Sequence, residues 1–243
     1  RFLCPPEFHM PEGLDYGGFV MPYADSPLDG ENVGESVYLD ILGRSRRYVH
    51  ITTPYLILDD TTLAALKFAA KRGVEVIIIM PHIPDKLYAY LLARSYYAEL
   101  LRAGVQIYEY TPGFIHAKMF TSDDEKAVVG TINLDFRSLY LHFECASYFF
   151  RNAVVMDVEE DFQKTLAKSE RITLENCRKY PAVCGEGTAD SGAAYVGEGR
   201  KTWNGTMENT AAAGRIQRMN CISVTTTRSG ESWFGMMRSS LRC

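Results

Sequence analysis

The segment FIHAKMFTSDDEKAVVGTINLD, residues 114–135, places a histidine and a lysine within an apolar stretch. His116 and Lys118 are two residues apart, so in an extended chain their side chains lie on the same side. The ammonium of a lysine supplies positive charge, and a neutral imidazole can attack an electrophile or move a proton. The pair therefore predicts a site for an anionic substrate.

The residues after this pair suit a phosphate group. Gly130 permits a close approach of the backbone, and Thr131 and Asn133 supply a hydroxyl and an amide that can donate to phosphate oxygens. Glu144 can accept a hydrogen bond from the second ring nitrogen of His116 and so fix its tautomer. A phosphodiester is therefore a suitable substrate for such a site.

These side chains need a rigid frame, and the hydrophobic pattern predicts one. Residues 114–120 are predicted to form a strand with His116, Lys118 and Phe120 on one face and the alternate apolar residues in the core. Upstream, strands are predicted at GFVMPY, RYVHITTPY and VEVIIIM, and they alternate with helices. Further strands are predicted at VQIYEY, KAVVG and ECASYFF, and a last amphipathic helix at VVMDVEEDFQKTLAKSE. Strands that alternate with helices indicate an α/β domain.

Four of the intervening helix ends carry recognisable capping residues. Asp59 and Asp60, or the two threonines that follow, can cap a helix that ends at Gly73. Asp85 is predicted to cap the next helix, which Gly104 closes.

Composition excludes several classes of protein. The formal net charge of -4 argues against a general nucleic-acid binder, which carries a basic face. The 6 cysteines form no CxxC pair, which is typical of thiols in a reducing compartment. No apolar run approaches the roughly 18 residues that a membrane-spanning helix requires.

The chain is predicted to have three parts. Residues 1–15 are rich in proline and are predicted to be the end of an upstream domain or linker, and residues 16–180 form the folded domain. Residues 181–243 are predicted to be a tail of low order, because glycine, threonine and serine replace the hydrophobic pattern. The chain starts at Arg1 without an initiator methionine, which indicates a fragment. A reading-frame error after about Pro181 and a natural extension are the two explanations of the tail.

The string His116-x-Lys118-x4-Asp123-x6-Gly130-Thr131-x-Asn133 resembles the signature of the phospholipase D superfamily, with threonine in place of the commoner serine. ITTPYLILDD, LKFAAKRGVEVIIIMP, RSYYAELLRAGVQIYEYTPGFIHAK and GTINLDFRSLYLHFE also resemble the carboxy-terminal half of bacterial cardiolipin synthases. The resemblance implies an α/β domain with a mixed β-sheet flanked by helices on both faces. It also implies a transferase of phospholipid biosynthesis at the bacterial cell membrane. Such an enzyme converts two phosphatidylglycerol molecules into cardiolipin and glycerol, with no metal or organic cofactor.

The same resemblance implies a role for each residue of the motif. His116 would form a phosphohistidine or act as acid and base, while Lys118, with Thr131 and Asn133, would hold the phosphoryl oxygens. Asp123 would tune a histidine of an opposite motif. A metal site on His116 and Asp123 is disfavoured, because Lys118 would repel a cation.

The family uses two such motifs, but this chain contains one. Its histidines are His9, His50, His82, His116 and His142, and a lysine follows two residues later in a single case. The other half of the site is predicted to come from the upstream part of the same polypeptide or from a second copy. Two alternatives stay open: a homodimeric phosphodiesterase or nuclease of the same superfamily, and a non-catalytic fragment that binds anionic lipid.

Overall fold

A computed structural model of the chain describes residues 17–178 and Tyr180. The predicted linker at residues 1–15 and the predicted tail at residues 181–243 lie outside the described residues. The described elements, in chain order, are β1 (Phe19–Asp25), α1 (Val33–Arg44), β2 (Tyr48–Thr52), β3 (Leu56–Ile57), α2 (Asp60–Lys71), β4 (Glu75–Pro81), α3 (Leu87–Ala103), β5 (Gln106–Tyr110), β6 (Met119–Ser122), β7 (Lys126–Gly130), β8 (Leu134–Asp135), α4 (Phe136–Tyr140), β9 (Glu144–Phe150), α5 (Val154–Leu166), β10 (Ser169–Arg171) and α6 (Leu174–Arg178).

The main sheet is mixed, as predicted. Its strand order is β1-β9-β7-β6-β2-β4-β5-β10. β4 pairs in parallel with β2 and with β5, whereas the strands from β2 to β1 pair antiparallel, as do β5 and β10. β3 and β8 form a separate parallel pair. One end of the main sheet thus collects the carboxyl ends of β1, β2, β4 and β7 together with the amino ends of β6 and β9.

Helices cover both faces of the main sheet. The continuous apolar run of β4 is explained by this burial on both sides. Alternate residues of this strand, such as Val76 and Ile78, pack in the core beneath α1, α2 and α3. Ile77 and Ile79 point the other way and pack against Phe162 of α5. A strand buried on both faces carries apolar residues at every position rather than at alternate ones.

The helix ends confirm the predicted caps at Asp59 and Gly104 but not the one at Asp85. Asp59 caps α2 and accepts hydrogen bonds from the backbone nitrogens of Thr61 at 2.9 Å and Thr62 at 3.3 Å. Gly104 closes α3 in the left-handed conformation, with φ of 101°. Asp85 does not cap α3, because its carboxylate accepts a hydrogen bond from the hydroxyl of Tyr55 instead. Within the described part of the chain, no helix has the length and apolar character to cross a membrane.

A buried carboxylate connects α3 to β5 and to the loop after β4. Glu109 on β5 is 1% exposed. It accepts hydrogen bonds from Arg94 Nε at 3.1 Å and Nη2 at 2.9 Å, and His82 Nδ1 lies 2.8 Å from its Oε2. The hydroxyl of Tyr90 donates to the backbone oxygen of His82 at 3.0 Å. These bonds fix the start of the loop that approaches the candidate site.

We expect Glu109→Gln to lower the free energy of unfolding by about 3–5 kcal/mol, because it leaves the largely buried guanidinium of Arg94 without its counter-charge. Urea unfolding followed by circular dichroism measures this change. Glu170→Gln, at an exposed position of β10, is the matched control and should change stability by less than about 0.5 kcal/mol. Equal unfolding midpoints for the two variants would contradict the prediction.

Candidate active site

His116 and Lys118 lie immediately before β6, where the chain enters the main sheet. The last residue pair between β2 and β6 joins Thr52 to Met119. The sequence predicted a strand over residues 114–120, but the strand begins at Met119. The prediction was wrong at this point because β2 ends at Thr52, so the preceding residues no longer have that neighbour. Both side chains are therefore presented at the end of the sheet.

Phe120, which was predicted to share a face with His116 and Lys118, is the second residue of β6 and lies in the core. It is 1% exposed and stacks on Tyr38 of α1, with ring centroids 4.0 Å apart. The next residue, Thr121, points to the opposite face and donates a hydrogen bond to Glu159 of α5 at 2.5 Å. Because helices cover both faces of the sheet, every position of β6 is buried.

His116 and Lys118 are in direct contact. Lys118 Nζ lies 2.9 Å from His116 Nδ1 and 3.2 Å from Nε2, and it donates to the backbone oxygen of His116 at 2.7 Å. Burial, and then the charge of Lys118, lower the pKa of His116 below its ordinary value. Burial also lowers the pKa of Lys118 to about 8, against the opposing effect of nearby carboxylates. At neutral pH the pair therefore combines a neutral imidazole with a charged ammonium.

Thr131 and Glu144 meet because β7 and β9 approach closely. A Cβ atom on Gly130 would lie 2.4 Å from Ala146 Cβ, so a larger residue would separate the two strands. The hydroxyl of Thr131 donates to Glu144 Oε2 and accepts from the backbone nitrogen of Cys145 at 3.0 Å. The carboxylate of Glu144 raises the pKa of Lys118 and so favours its charged form.

The hydrogen bonds of Glu144 do not include the predicted one to His116. Its second oxygen instead lies 3.7 Å from His142 Nδ1. His142 Nε2 accepts a hydrogen bond from Arg137 Nε at 2.7 Å. The prediction failed because a strand pattern gives the side of a residue but not its neighbour across the sheet. Arg137 and His142 were not among the predicted site residues, although His142 precedes Glu144 by two residues and an extended chain places such residues on one side.

Asn133 lies just before β8, and Asp135 is the last residue of this strand. Asn133 Nδ2 donates to Ser138 Oγ at 2.9 Å, while its buried Oδ1 has no partner within the described residues. Asp135 caps α4 by accepting from the backbone nitrogen of Ser138 at 2.6 Å, and burial raises the pKa of its carboxyl group. The predicted role of Asn133 and Thr131 in holding phosphoryl oxygens stays a prediction.

Asp123 lies at the opposite end of β6 from His116, so it does not join the cluster. Its carboxylate accepts hydrogen bonds from the backbone nitrogens of Arg46 and Arg47 at 2.8 Å each and of Tyr48 at 3.1 Å. About five residues at roughly 3.3 Å per residue separate it from Lys118 along the strand. In this domain Asp123 holds the loop between α1 and β2, rather than reaching a histidine of the site.

A second set of residues flanks His116 on the side of β4. Phe114 lies against the imidazole with ring centroids 5.5 Å apart, and Tyr55 makes an edge contact at 6.3 Å. The hydroxyl of Tyr55 holds Asp85, whose charge opposes the lowering of the His116 pKa. Lys86 Nζ lies 5.7 Å from the centroid of the Tyr55 ring. No signal in the sequence connected Tyr55, Asp85 and Lys86 to His116, because they precede it by at least 30 positions.

Comparison with known proteins identifies relatives by sequence. The profile of the family described as "Cardiolipin synthase, PLD-like domain" matches residues 38–166, which is more than half of the chain. A protein of Streptococcus mutans with no assigned function is 59% identical over 162 residues, covering 67% of this chain and 35% of that protein. A cardiolipin synthase of Halalkalibacterium halodurans is 38% identical over 164 residues, covering 68% of this chain and 32% of that protein. The chain thus spans about a third of the length of these relatives.

Solved structures confirm the fold. The phospholipase D family member Nuc of Salmonella typhimurium aligns over 64% of this chain and 99% of its own, with a TM-score of 0.54 and 18% identity. The phosphatidylserine synthase of Haemophilus influenzae aligns over 76% of this chain and 47% of its own, with a TM-score of 0.57 and 14% identity. At these identities the likeness concerns the fold alone.

We expect Lys118→Gln to raise the pKa of His116, because the substitution removes a positive charge in contact with the ring. NMR titration of the imidazole C–H signals measures this shift. Lys126→Gln, which removes a lysine from the far end of β7, is the control and should leave the titration of His116 unchanged. An unchanged His116 pKa in Lys118→Gln would show that the contact does not act on the ring.

We expect binding of dimethyl phosphate to weaken about tenfold between pH 7 and pH 9. The anion keeps one charge over this range, whereas Lys118, with its pKa lowered to about 8, loses its charge as the pH rises. NMR titration at a series of pH values measures the dissociation constant. The Lys118→Gln variant should bind weakly at every pH, and a wild-type affinity at pH 9 equal to that at pH 7 would contradict the prediction.

Proposed function

The chain belongs to the family of cardiolipin synthase PLD-like domains, and we propose from this premise that it carries one half of the active site of a phosphatidyltransferase. The reaction joins two phosphatidylglycerol molecules into cardiolipin and releases glycerol. The observation that carries the proposal is the contact of a neutral imidazole with an ammonium at an open end of the sheet. His116 and Lys118 lie within the segment that matches the family.

In the first step, His116 attacks the phosphorus of one phosphatidylglycerol. A nitrogen–phosphorus bond forms, the bond from phosphorus to the head-group glycerol oxygen breaks, and a proton converts that oxygen into the hydroxyl of free glycerol. The ammonium of Lys118 neutralises the charge that develops on the phosphoryl oxygens. A lowered His116 pKa supports this role, because a protonated ring has no lone pair for the attack.

In the second step, the head-group hydroxyl of another phosphatidylglycerol attacks the phosphohistidine. The new oxygen–phosphorus bond forms as the nitrogen–phosphorus bond breaks, and the attacking hydroxyl gives up its proton. Cardiolipin leaves, and His116 returns to its neutral state. The sum is two phosphatidylglycerol molecules converted into one cardiolipin and one glycerol, with the proton balanced between the two steps.

A second acid–base group must supply and remove that proton, and His142 does not suit this role. Its Nε2 accepts from Arg137, and its Nδ1 faces the carboxylate of Glu144. We therefore propose that the second imidazole comes from another histidine–lysine motif. Either the upstream part of the same polypeptide or a second copy of the chain would contribute it.

Exposed apolar side chains near His116 support an amphiphilic substrate. Ile83 and Leu87, which flank Lys86 and Asp85, are 50% and 65% exposed, and Phe114 is 43% exposed. A surface that combines apolar side chains with a lysine suits the interface of an anionic phospholipid membrane. The proposed place of action is therefore the surface of the bacterial cell membrane.

We expect a hybrid enzyme to form cardiolipin from phosphatidylglycerol in mixed micelles. In this hybrid, the corresponding segment of this chain replaces the matching third of the Streptococcus mutans relative. His116→Ala should lower turnover by at least about 10²- to 10⁴-fold, because no neighbouring group can replace the imidazole. Lys118→Gln should cause a similarly severe loss, and a chelator should have no effect. Thin-layer chromatography of the lipid products measures the rates.

Asp124→Ala is the matched control, since Asp124 pairs with Arg47 on an exposed turn away from the site. It should change turnover by less than about twofold. Turnover of the unmodified 243-residue chain as a demonstrated monomer would contradict the half-site proposal. Hydrolysis of phosphodiesters without cardiolipin formation would favour the phosphodiesterase alternative, and lipid binding without either reaction would favour the non-catalytic one.

A further inference from the structure

Arg137 lies at the same end of the sheet as Lys118, and within the described residues only one of its guanidinium nitrogens has a hydrogen-bond partner. It lies in the first turn of α4, two residues after Asp135, and its side chain is part-buried. Its Nε donates to His142 Nε2 at 2.7 Å. Within the described part of the chain, its two terminal amino groups have no hydrogen-bond or ion-pair partner. Such a guanidinium can still offer a pair of parallel donors to an anion.

A hydrogen bond to His142 holds this guanidinium, and His142 in turn faces Glu144. An arginine is always protonated and donates, so His142 Nε2 accepts and the neutral ring carries its proton on Nδ1. That proton faces Glu144 Oε1 at 3.7 Å, while Glu144 Oε2 accepts from the hydroxyl of Thr131. The position of Arg137 is thereby tied to Glu144, whose charge acts on Lys118. The two cations are thus coupled through a few ordered side chains.

The proposed reaction requires a second anion site. During the transfer step, the phosphoryl group on His116 keeps one ester bond to diacylglycerol, and the intact phosphodiester of the attacking phosphatidylglycerol lies one glycerol unit away. The non-bridging oxygens of each group carry one negative charge, and Lys118 already neutralises the first. Two anions brought together in a partly desolvated cleft repel each other unless a second cation lies between or beside them.

Lys86 and Arg137 are two further cations at this end of the sheet, and the structure favours Arg137. Lys86 is exposed, and its ammonium lies over the ring of Tyr55 on the β4 side, beside the carboxylate of Asp85. Arg137 is held at one nitrogen and presents a planar fork that matches two phosphate oxygens. An immobilised guanidinium loses less conformational freedom on binding than a flexible lysine does.

We propose that Arg137, oriented by His142, binds the phosphodiester of the second phosphatidylglycerol and so selects a phosphorylated acceptor over water or a simple alcohol. This inference rests on the proposed function, since it names the acceptor site of the same reaction. Arg137 contacts the acceptor, whereas His142 acts as a positioning residue.

The first test uses the soluble head groups and the chain itself. Glycerophosphoglycerol carries one phosphodiester, and bis(glycerophospho)glycerol, the deacylated form of cardiolipin, carries two. Calorimetric titration should show that the two-phosphate probe binds the wild-type chain about ten- to a hundredfold more tightly than the one-phosphate probe. Arg137→Gln should abolish this preference, with the loss confined to the two-phosphate probe. Arg137→Lys, which keeps the charge without the fork, should give an intermediate ratio.

Two matched variants separate the alternatives. Arg102→Gln, at an exposed position in the last turn of α3, should bind both probes as the wild type does. Lys86→Gln should keep the preference for two phosphates. The proposal is overturned if the wild type shows no preference, if Lys86→Gln rather than Arg137→Gln removes it, or if Arg137→Gln weakens both probes equally. The last result would indicate that Arg137 merely supports Glu144 and Lys118.

A second test uses the hybrid enzyme and compares acceptors. Phosphatidyl transfer to phosphatidylglycerol and to added isotopically labelled glycerol are measured in the same micelles. Arg137→Gln should lower the ratio of the first to the second by at least about tenfold. An unchanged ratio overturns the inference while leaving the proposed function intact. A wild-type hybrid that hydrolyses phosphatidylglycerol and forms no cardiolipin overturns the proposed function instead, so the two failures are distinguishable.

Discussion

The ammonium of Lys118 imposes the main constraint on this end of the domain. Burial lowers its pKa to about 8, and the nearby carboxylates of Glu144, Asp135 and Asp85 oppose that shift. Each carboxylate is itself held by a hydrogen-bond donor: the hydroxyl of Thr131, the backbone nitrogen of Ser138 and the hydroxyl of Tyr55. A charged lysine beside a neutral histidine therefore requires the carboxyl ends of β4, β7 and β8 and the amino end of β9 to meet at one place. The sheet supplies that arrangement.

Two buried polar pairs, each with a carboxylate, fix helices to the frame, away from the site. On one face, Glu109 of β5 binds Arg94 of α3. On the other face, His50 Nδ1 of β2 lies 2.9 Å from Oε1 of Glu159 in α5, and its ring stacks on Phe162 with centroids 4.6 Å apart. Breaking such a pair leaves a buried charge, so each favours one seating of its helix over any shifted one. The end of the sheet that carries His116 is thereby held by packing and charge on both faces.

Much of the fold could be predicted from the hydrophobic pattern because it reports local periodicity and burial. β4 has an unbroken apolar run, and the structure buries it between two layers of helices. Gly104 and Asp59 ended and began their helices as predicted, because capping depends on a few neighbouring residues. The start of β6 could not be predicted, since it depends on where β2 stops offering hydrogen bonds. The same limit applies to Phe120, whose burial depends on a helix distant in sequence.

The candidate site divides in the same way. The sequence alone determined that His116 and Lys118 stand side by side, because a spacing of two residues in an extended segment requires it. The tertiary structure alone decided which partner each carboxylate meets. Glu144 binds Thr131 and faces His142, and Asp123 accepts from backbone nitrogens at the far end of β6. Asp85 reaches the side of His116 through Tyr55. Hydrogen bonds act over about 3 Å, so their partners are set by how the strands are ordered across the sheet. Spacing along the chain carries no information about that order.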